Sequence, residues 1–465
     1  MKGKAEAAPY RNDPAPVRFP GARFPNVRFP NVRFPGAHHS SGINVASAAG
    51  LCEIAGRFRR RFPTRASPMT DQTASLADRL SFAAPVRPAA GILPSSKIGE
   101  VAMVGRGDPD VIPLWFGEGD LTTPDFINAA ATKALQAGET FYTWQRGIPE
   151  LRDAIAAYTQ RVYGIDCGPE RITVSGSGMQ AILLTCQALV GPGDNAVIIG
   201  PIWPNIVSCV EIQQGEPRMV DLTFDGSSWS LDLDRLFAAV DDRTRLIFVN
   251  TPNNPTGWTM PSEMQKALLD FCRARRIWLV ADEVYARIVY DRPVAPSFLE
   301  HAGPDDPLIV VQSFSKPWAM TGWRLGWITS PDNFGDLLAK LTQFNTSGSP
   351  AFLQHGALAA INEGEEFLAQ MVERCRVGRE VVLQGLSRFP RVRIARPDAA
   401  FYAFFAVDGM DDSLEFAKRL VRESKVGIAP GIAFGAGGEG YLRLCFASAP
   451  ERLHKAMDRM APLLA

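Results

Sequence analysis

The stretch Ser313-Phe-Ser-Lys-Pro-Trp-Ala-Met-Thr-Gly-Trp-Arg324 is the most informative segment of this chain for its fold and its chemistry. It places Lys316 beside small hydroxyl residues and Arg324 eight positions later. A lysine that forms a Schiff base needs a lowered pKa, which a neighbouring cation favours. Arg324 would supply that cation and could bind a phosphate through two oxygens. The same stretch also fits an exposed loop lysine near a surface arginine, so the interpretation depends on other segments.

Strand-like and helix-like segments alternate around this stretch, from about Thr173 to Thr329. The strand candidates are Ile172–Ser175, Ala196–Gly200, Met219–Leu222, Leu246–Asn250, Trp278–Ala281, Leu308–Gln312 and Gly326–Ile328. Most are almost entirely apolar, which is typical of parallel strands covered on both faces. Helix-like segments such as 178–190 and 261–275 lie between them. The alternation predicts a layered α/β domain with its ligand at the carboxyl ends of the strands.

The pattern changes after Ser330. Long amphipathic stretches, 334–344 and 354–379, precede a short alternating region around 401–405 and 441–445, and a helix is expected at the end of the chain. This order predicts a second, smaller α+β domain. We expect an N-terminal segment 69–124 that belongs to the small domain, a large domain 125–345 and a small C-terminal domain 346–465.

Composition places the chain among globular proteins. Of its 465 residues, 46% are apolar and 21% charged, and the formal net charge is zero. No stretch approaches the roughly 18 uninterrupted apolar residues of a membrane span. Its seven cysteines are scattered and never spaced C-x-x-C. This pattern favours a reducing, cytoplasmic compartment and argues against a disulfide framework or a zinc site.

Residues 1–68 differ from the rest of the chain. They contain ten Arg and two Lys against three acidic residues, and a repeat Arg-Phe-Pro-x-x begins at residues 18, 23, 28 and 33. The prolines oppose a continuous helix and hence an amphipathic transit peptide. A basic arm for nucleic acid is a second interpretation. We favour a disordered extension, and Met69 resembles an ordinary start of translation.

Three further motifs follow predicted strands. Ser175-Gly-Ser-Gly-Met-Gln-Ala181 leads from a strand into a helix, where backbone N–H groups can converge on an anion. Asn250-Thr-Pro-Asn-Asn-Pro-Thr-Gly257 predicts a rigid turn that presents amide side chains. Val280-Ala-Asp-Glu-Val-Tyr285 ends a strand with Asp282, whose carboxylate would require a cation in an apolar environment. Taken alone, each motif also fits an ordinary turn or a helix cap.

Taken together and in this order, the motifs resemble the class I/II pyridoxal-phosphate-dependent aminotransferases of the aspartate aminotransferase fold type. The resemblance covers about residues 85–465. It implies fold type I, in which helices enclose a mostly parallel seven-stranded sheet in the large domain and a smaller α+β domain follows. The segments Ala400–Phe404 and Pro430–Gly435 are similar to landmarks of the family's small domain.

The resemblance also implies residue roles. Lys316 matches the Schiff-base lysine, Asp282 the partner of the pyridine nitrogen, and Tyr285 and Asn254 the partners of the ring's O3′. The residues that match the cofactor's remaining contacts are Ser177, Gly178, Met179, Ser313, Ser315 and Arg324 at the phosphate, Trp203 stacked on the ring, and Tyr142, which would reach the phosphate in the neighbouring subunit. Gly117 and Arg443 match the groups that hold the substrate α-carboxylate, and Asn254 and Trp203 also border the substrate.

These roles imply amino transfer between an amino acid and a 2-oxo acid by a homodimer with shared sites, without nucleic acid or membrane. Two positions depart from the family pattern. Gly119 replaces a frequent proline, and Met179 stands where some relatives have lysine or threonine, so its phosphate contact would use the backbone N–H.

Three alternatives stay open at this point. A C–S lyase or a related synthase uses the same residues, and the motifs around Lys316 do not separate elimination from transfer. A transcriptional regulator with an aminotransferase-like sensor domain would need a helix-turn-helix, and residues 1–68 show no such pattern. The amino-acid donor is not readable from the sequence, and an aspartate or aromatic type is one candidate. Arg146 is a candidate for binding a second carboxylate, although a structural or surface role is the stronger interpretation.

Overall fold

The computed structural model describes residues 87–465. They belong to one compact unit, Thr73–Ala465. The predictions for residues 1–68, and for the first part of the segment 69–124, fall outside the described residues.

Thirteen α-helices lie within residues 87–465. In chain order they are α1 Pro88–Gly91, α2 Lys97–Val104, α3 Asp125–Gln136, α4 Pro149–Tyr163, α5 Gly178–Leu189, α6 Asn205–Ile212, α7 Leu233–Ala238, α8 Ser262–Arg275, α9 Asp332–Gln343, α10 Ala351–Glu363, α11 Glu365–Leu386, α12 Ser413–Arg419 and α13 Pro450–Leu464.

Residues 87–465 also form fifteen strands of two to seven residues. They are β1 Ile112–Pro113, β2 Ile172–Ser175, β3 Asn195–Gly200, β4 Glu216–Asp221, β5 Thr223–Phe224, β6 Trp229–Ser230, β7 Thr244–Asn250, β8 Trp278–Asp282, β9 Leu308–Ser313, β10 Gly326–Thr329, β11 Val392–Ile394, β12 Tyr402–Val407, β13 Val426–Gly427, β14 Ala429–Pro430 and β15 Tyr441–Cys445.

Seven strands form the large sheet, in the order β2-β10-β9-β8-β7-β3-β4. Six run parallel, and β10 is antiparallel to both of its neighbours. All seven predicted strands are members of this sheet, so the predicted fold class is confirmed. The strand ends differ from the prediction by at most three residues.

The apolar strands are explained by cover on both faces. Along β3, Ile199 packs in a cluster with Leu268 of α8, whereas Ile198 packs in another cluster with Ile182 of α5 and Leu338 of α9. Side chains alternate across a strand, so a helix layer on each face requires apolar residues at every position. Each fully buried aliphatic side chain of this kind contributes about 1.5–3 kcal/mol.

A second sheet has the antiparallel order β11-β12-β15-β14. Its core also contains residues of α11 and α13 and four buried side chains from the N-terminal side, Val101, Ile112, Leu114 and Trp115. The amphipathic stretch 354–379 is two helices rather than one. They meet at Gly364, where an added Cβ would collide with the Ala360 carbonyl and lie 2.5 Å from Trp318 Nε1.

Helix α10 packs with helices α3 and α4 and not with the core of the second sheet. Its residues Ala357 and Ile361 share a cluster with Ile127 of α3 and Leu151 of α4. This packing places α10 with the helices that cover the large sheet, although α10 lies after residue 346, where we expected the small domain to begin. No helix within residues 87–465 combines the length and the apolar character that a membrane span requires.

Candidate active site

The carboxyl ends of the central strands bring the predicted motifs together. Asn250 ends β7 and pairs in register with Asp282, the last residue of the neighbouring strand β8. The Asn250 amide donates to the Asp282 carbonyl at 2.9 Å, and its Oδ1 accepts from the Asn254 N–H at 2.7 Å. These bonds fix the turn 250–257 against the end of β8. The strand order therefore explains why segments distant in sequence share one site.

A cavity of about 230 Å³ lies above these strand ends. Twelve predicted site residues line it: Gly117, Gly178, Met179, Trp203, Asn254, Asp282, Tyr285, Ser313, Ser315, Lys316, Arg324 and Arg443. Seven lining residues were not predicted: Ile98, Phe116, Ile182, Asn250, Val284, Thr321 and Tyr402. The second sheet and the N-terminal segment close the side of the cavity opposite the large sheet.

Lys316 follows β9 and projects its amine into this cavity. Its Nζ donates to the carbonyl oxygen of Gly117 at 2.6 Å. Burial lowers the pKa of Lys316 to about 8, and Arg443 and Arg324 act in the same direction. A larger fraction of this amine is therefore neutral near pH 8 than of an exposed lysine, as nucleophilic attack requires.

Asp282 is a buried carboxylate, only 6% exposed. Its Oδ1 accepts from the Val284 N–H at 3.3 Å, and no Lys, Arg or His within residues 87–465 forms an ion pair with it. Burial raises the pKa of Asp282 to about 7. A buried carboxylate without a cation is costly, so this position favours a positively charged ligand group.

Small residues at the start of α5 form one end of the cavity, which we call the cradle. Helix α5 begins at Gly178, and its first N–H groups, including those of Gly178 and Met179, have no partner within the helix. An added Cβ at Gly326 would lie 2.8 Å from the Gly178 nitrogen. Together with Ser315 and Arg324, these N–H groups can hold an anion such as a phosphate.

Two predicted phosphate hydroxyls have partners inside the protein. Ser177 is the N-cap of α5, and its Oγ accepts from the Gln180 N–H at 3.0 Å. Ser313 Oγ donates to the Leu325 carbonyl at 3.2 Å and accepts from the Ser315 N–H at 3.1 Å. Ser177 is absent from the cavity lining. These hydroxyls shape the cradle, and their hydrogen bonds could not be read from the sequence.

Arg443 is buried, with 2% of its surface exposed, and it projects from β15. Its Nη1 donates to Asn254 Oδ1 at 3.0 Å and its Nη2 donates to the Trp115 carbonyl, whereas Nε has no partner. Its charge is not matched by any carboxylate of residues 87–465. A buried, incompletely satisfied guanidinium suits a ligand carboxylate.

Aromatic side chains complete the walls. Trp203 lines the cavity, and its backbone N–H donates to the Asn254 carbonyl at 3.1 Å. Tyr285 Oη lies 2.7 Å from Tyr402 Oη, and both tyrosines are buried. Tyr402 was missed because its segment was interpreted only as a landmark of the small domain. The register of β12 against β15, which places Tyr402 diagonal to Arg443, would have revealed it.

Two further candidate residues, besides Ser177, lie outside the cavity. Tyr142 is 94% exposed. Arg146 is half-buried elsewhere: its Nε donates to Thr173 Oγ1 at 3.2 Å, and its Nη2 donates to the carbonyls of Glu170 and Ile172. Arg146 therefore has a structural role and is not a binding residue for a substrate carboxylate in its own subunit.

Comparison with known proteins agrees with this geometry. Residues 111–460 match the family "Aminotransferase class I and II". The chain is 32% identical over 376 residues to an aspartate aminotransferase of Pyrococcus horikoshii, covering 80% of this chain and 95% of that protein. It is also 32% identical over 394 residues to aromatic-amino-acid aminotransferase 2 of Thermococcus litoralis, covering 84% and 98%.

The solved structures include an aspartate aminotransferase of Thermus thermophilus, a single mutant, with 30% identity and a TM-score of 0.76. The match covers 82% of this chain and all of that one. An α/β fold with a buried lysine and carboxylate at the ends of its strands thus defines a transferase of fold type I. The chain belongs to the class I and II aminotransferases, whose members are generally pyridoxal-phosphate-dependent.

The unpaired carboxylate gives a testable effect on stability. A carboxyl group whose pKa is higher in the folded than in the unfolded protein releases a proton on unfolding, so stability falls as pH rises from about 4 to about 7. Without bound ligand, Asp282→Asn should therefore be more stable than the wild type at pH 8, by an amount on the order of a few kcal/mol. At pH 4 this advantage should vanish.

Urea unfolding of both proteins at the two pH values measures this difference. Glu283, whose pKa burial raises to about 8, is present in both proteins, so the effect of its burial cancels from the comparison, and only the smaller contribution of the Asp282 charge to its pKa differs. An equal stability difference at pH 4 and pH 8 would show that Asp282 has a partner in the ligand-free protein.

Proposed function

We propose that this aminotransferase binds pyridoxal phosphate in the cavity around Lys316 and transfers amino groups from an amino acid to a 2-oxo acid. The observation that carries the proposal is the set of uncompensated charges at one place. Asp282 lacks a cation, and Lys316 and Arg443 lack anions within residues 87–465. A cofactor with a protonated ring nitrogen would pair with Asp282, and its aldehyde would form a covalent bond with the neutral amine of Lys316. The carboxylate of a substrate would pair with Arg443.

The residues fit the cofactor in its chemistry. Asp282 would hold the pyridine nitrogen protonated, Tyr285 and Asn254 would bind O3′, and Trp203 would stack on the ring. Gly178, Met179, Ser315 and Arg324 would bind the phosphate, with Ser177 and Ser313 shaping that cradle. When bound, the cofactor supplies an electron sink for the negative charge that develops at the substrate Cα.

The chain's own residues would orient the substrate and move its proton. Arg443 binds the α-carboxylate through its planar fork, next to Gly117, and this contact aligns the Cα–H bond for removal. Lys316, once its amine is free, takes the Cα proton. The lowered pKa of Lys316, about 8, suits a base that must be neutral when it acts.

The cavity supports a donor with an aromatic or other apolar side chain over a dicarboxylic one. Among residues 87–465, only three cationic side chains line it, and all have other tasks: Lys316, Arg324 and Arg443. Ile98, Phe116 and Tyr402 provide apolar walls. A second substrate carboxylate would have to find its cation in another part of the dimer.

A homodimer with shared sites is supported by an exposed aromatic surface. Phe141, Tyr142, Trp144 and Phe344 are 85%, 94%, 69% and 90% exposed, and the Thr143 hydroxyl, next to Tyr142, donates to the Ser349 carbonyl at 2.9 Å. Such a patch is typical of an interaction surface. We propose that Tyr142 crosses this interface to the partner's cofactor phosphate. We also propose a cytoplasmic location and two domains after residue 125. Because α10 packs with α3 and α4, we place α10 in the large domain and begin the small domain after Glu363 rather than at residue 346.

The first test concerns the covalent link. Purified wild-type protein with pyridoxal phosphate should be yellow, and borohydride should fix the cofactor to Lys316, as peptide mass spectrometry detects. Lys316→Ala should bind the cofactor without a reducible bond, and Lys340→Ala, a matched control on α9, should behave as the wild type. A reducible bond to another residue in Lys316→Ala would refute the assignment.

The same purified protein tests the type of reaction and the preferred amino-acid donor. Phenylalanine or tyrosine should convert the yellow form with a higher kcat/KM than aspartate, and amino groups should appear on an added 2-oxo acid. Release of ammonia and pyruvate from cysteine or cystathionine without a 2-oxo acid would instead identify the lyase alternative.

The shared site has its own test. Lys316→Ala subunits keep Tyr142, and Tyr142→Phe subunits keep Lys316, so a hybrid dimer contains one intact site. Mixing the two inactive or weakened proteins under exchange conditions should give roughly a quarter of wild-type activity on random pairing. Activity no greater than the sum of the separate proteins would mean that Tyr142 serves its own subunit or none.

A further inference from the structure

Tyr402 lies in the cavity, and none of the sequence motifs assigned a role to it. It begins β12, is fully buried and lines the cavity beside Lys316. Its hydroxyl lies 2.7 Å from the Tyr285 hydroxyl, with the two rings edge to face at 5.6 Å. Between two phenols at this distance, one must donate and the other accept.

The direction of this bond follows from what Tyr285 is expected to do. A phenol has a single O–H, so if Tyr285 donates to the ring oxygen O3′ of the cofactor, it can only accept from Tyr402. The Tyr402 hydroxyl has no other protein partner within residues 87–465. The Tyr402 hydroxyl can therefore donate its proton to the Tyr285 oxygen, while the Tyr285 hydroxyl donates to O3′ of the cofactor.

The ring of Tyr402 has a separate contact. The Arg443 guanidinium lies 4.5 Å from the centre of the Tyr402 ring and 4.8 Å from that of Phe434. Arg443 is thus held between two aromatic faces, which attract a cation and restrict its orientation. One side chain touches both the partner of O3′ and the residue for the substrate carboxylate.

The absence of a side chain at Gly117 makes room for the Tyr402 hydroxyl. A Cβ added to Gly117 would collide with Tyr402 Oη, so any other residue at position 117 would displace the tyrosine. Gly117 also accepts the hydrogen bond from Lys316 at 2.6 Å. Gly117, Tyr402 and Lys316 consequently form one tightly packed group.

We propose that Tyr402 is a positioning residue with two separable roles: its hydroxyl donates to Tyr285 and thereby orients the Tyr285 proton toward O3′, and its ring holds Arg443 for the substrate carboxylate. This inference rests on the proposed function, because it assigns Tyr285 to the cofactor. It adds a residue that acts on cofactor and substrate through two different neighbours.

Two substitutions separate the roles. Tyr402→Phe removes the hydroxyl and keeps the ring, whereas Tyr402→Leu removes both. The first readout is the pH midpoint of the absorbance change of the protein with bound pyridoxal phosphate, which reports how strongly negative charge on O3′ is stabilised. The charged and titratable groups around the pair are Lys316, Asp282, Arg443 and Cys445, and they are identical in all variants.

Tyr402→Phe should raise this midpoint by about half to one pH unit, the effect of one neutral hydrogen bond. Its KM for the amino acid should stay within about twofold of the wild type, since the ring still holds Arg443. Tyr402→Leu should raise the midpoint equally and should raise KM by about tenfold, the loss of a cation–π contact of more than 1 kcal/mol. In a Tyr285→Phe background, Tyr402→Phe should have no further effect on the midpoint.

Tyr290→Phe is the matched control. Tyr290 is a tyrosine outside the cavity whose hydroxyl donates to the Ala400 carbonyl, so its loss removes a hydroxyl near the same strand without touching Tyr285. It should leave the midpoint unchanged. An unchanged midpoint in Tyr402→Phe, or an additive shift in the double variant, overturns the hydroxyl role. Equal KM values for Tyr402→Phe and Tyr402→Leu overturn the ring role. Absence of any reducible bond in the wild type would instead reject the proposed function itself.

Discussion

The buried carboxylate of Asp282, with which no cationic side chain of residues 87–465 forms an ion pair, is the constraint around which the site is organised. Asp282 is the last residue of the central strand β8. Asn250, at the end of the neighbouring strand β7, donates a hydrogen bond to the backbone carbonyl oxygen of Asp282 at 2.9 Å. Taking a carboxylate out of water costs several kcal/mol unless a positive partner compensates it. The fold therefore keeps a cost in the ligand-free protein that a cationic ligand group would remove, and this makes ligand binding and stability interdependent.

The two sheets contribute different parts of the chemistry. The large sheet provides Asp282, Asn254 and Lys316 from the ends of strands or the turns that follow them, which are rigid because both sheet faces are covered. The second sheet provides Tyr402 and Arg443 from adjacent strands. The groups assigned to the cofactor thus lie mainly on one sheet and those assigned to the substrate on the other. The two sets are joined by the bonds between Tyr285 and Tyr402 and between Arg443 and Asn254.

The sequence predicted the features that depend on local pattern. Most strands of the large sheet followed from continuous apolar runs, because such runs require cover on both faces, whereas the edge strand β4 is largely polar and only partly buried. The resemblance to a family identified twelve residues that line one cavity. The assignment of roles to these residues remains a prediction, since the geometry alone does not show what they bind.

The features that were missed depend on contacts distant in sequence. At Gly364, between two helices that the sequence suggested as one stretch, Trp318 from a distant part of the chain leaves no room for a Cβ, which no helical periodicity reveals. Arg146 was considered for a substrate carboxylate because it is near Tyr142 in sequence, but its guanidinium is occupied by the carbonyls of residues 170 and 172. Tyr402 required the register of two strands. In each case the deciding partner lies far along the chain or on another element.

The most direct measurement of the central claim is the rate at which Asp282→Asn removes the Cα proton of an amino acid. Exchange of that proton with deuterated water, followed by NMR, reports this step without the rest of the reaction. The variant keeps the shape of the side chain and should still form the bond between cofactor and Lys316. Because the charge that holds the ring nitrogen protonated is gone, exchange should slow by several orders of magnitude, roughly 10³-fold or more. Exchange near the wild-type rate would contradict the account, since the buried carboxylate would then have no part in stabilising the charge that develops.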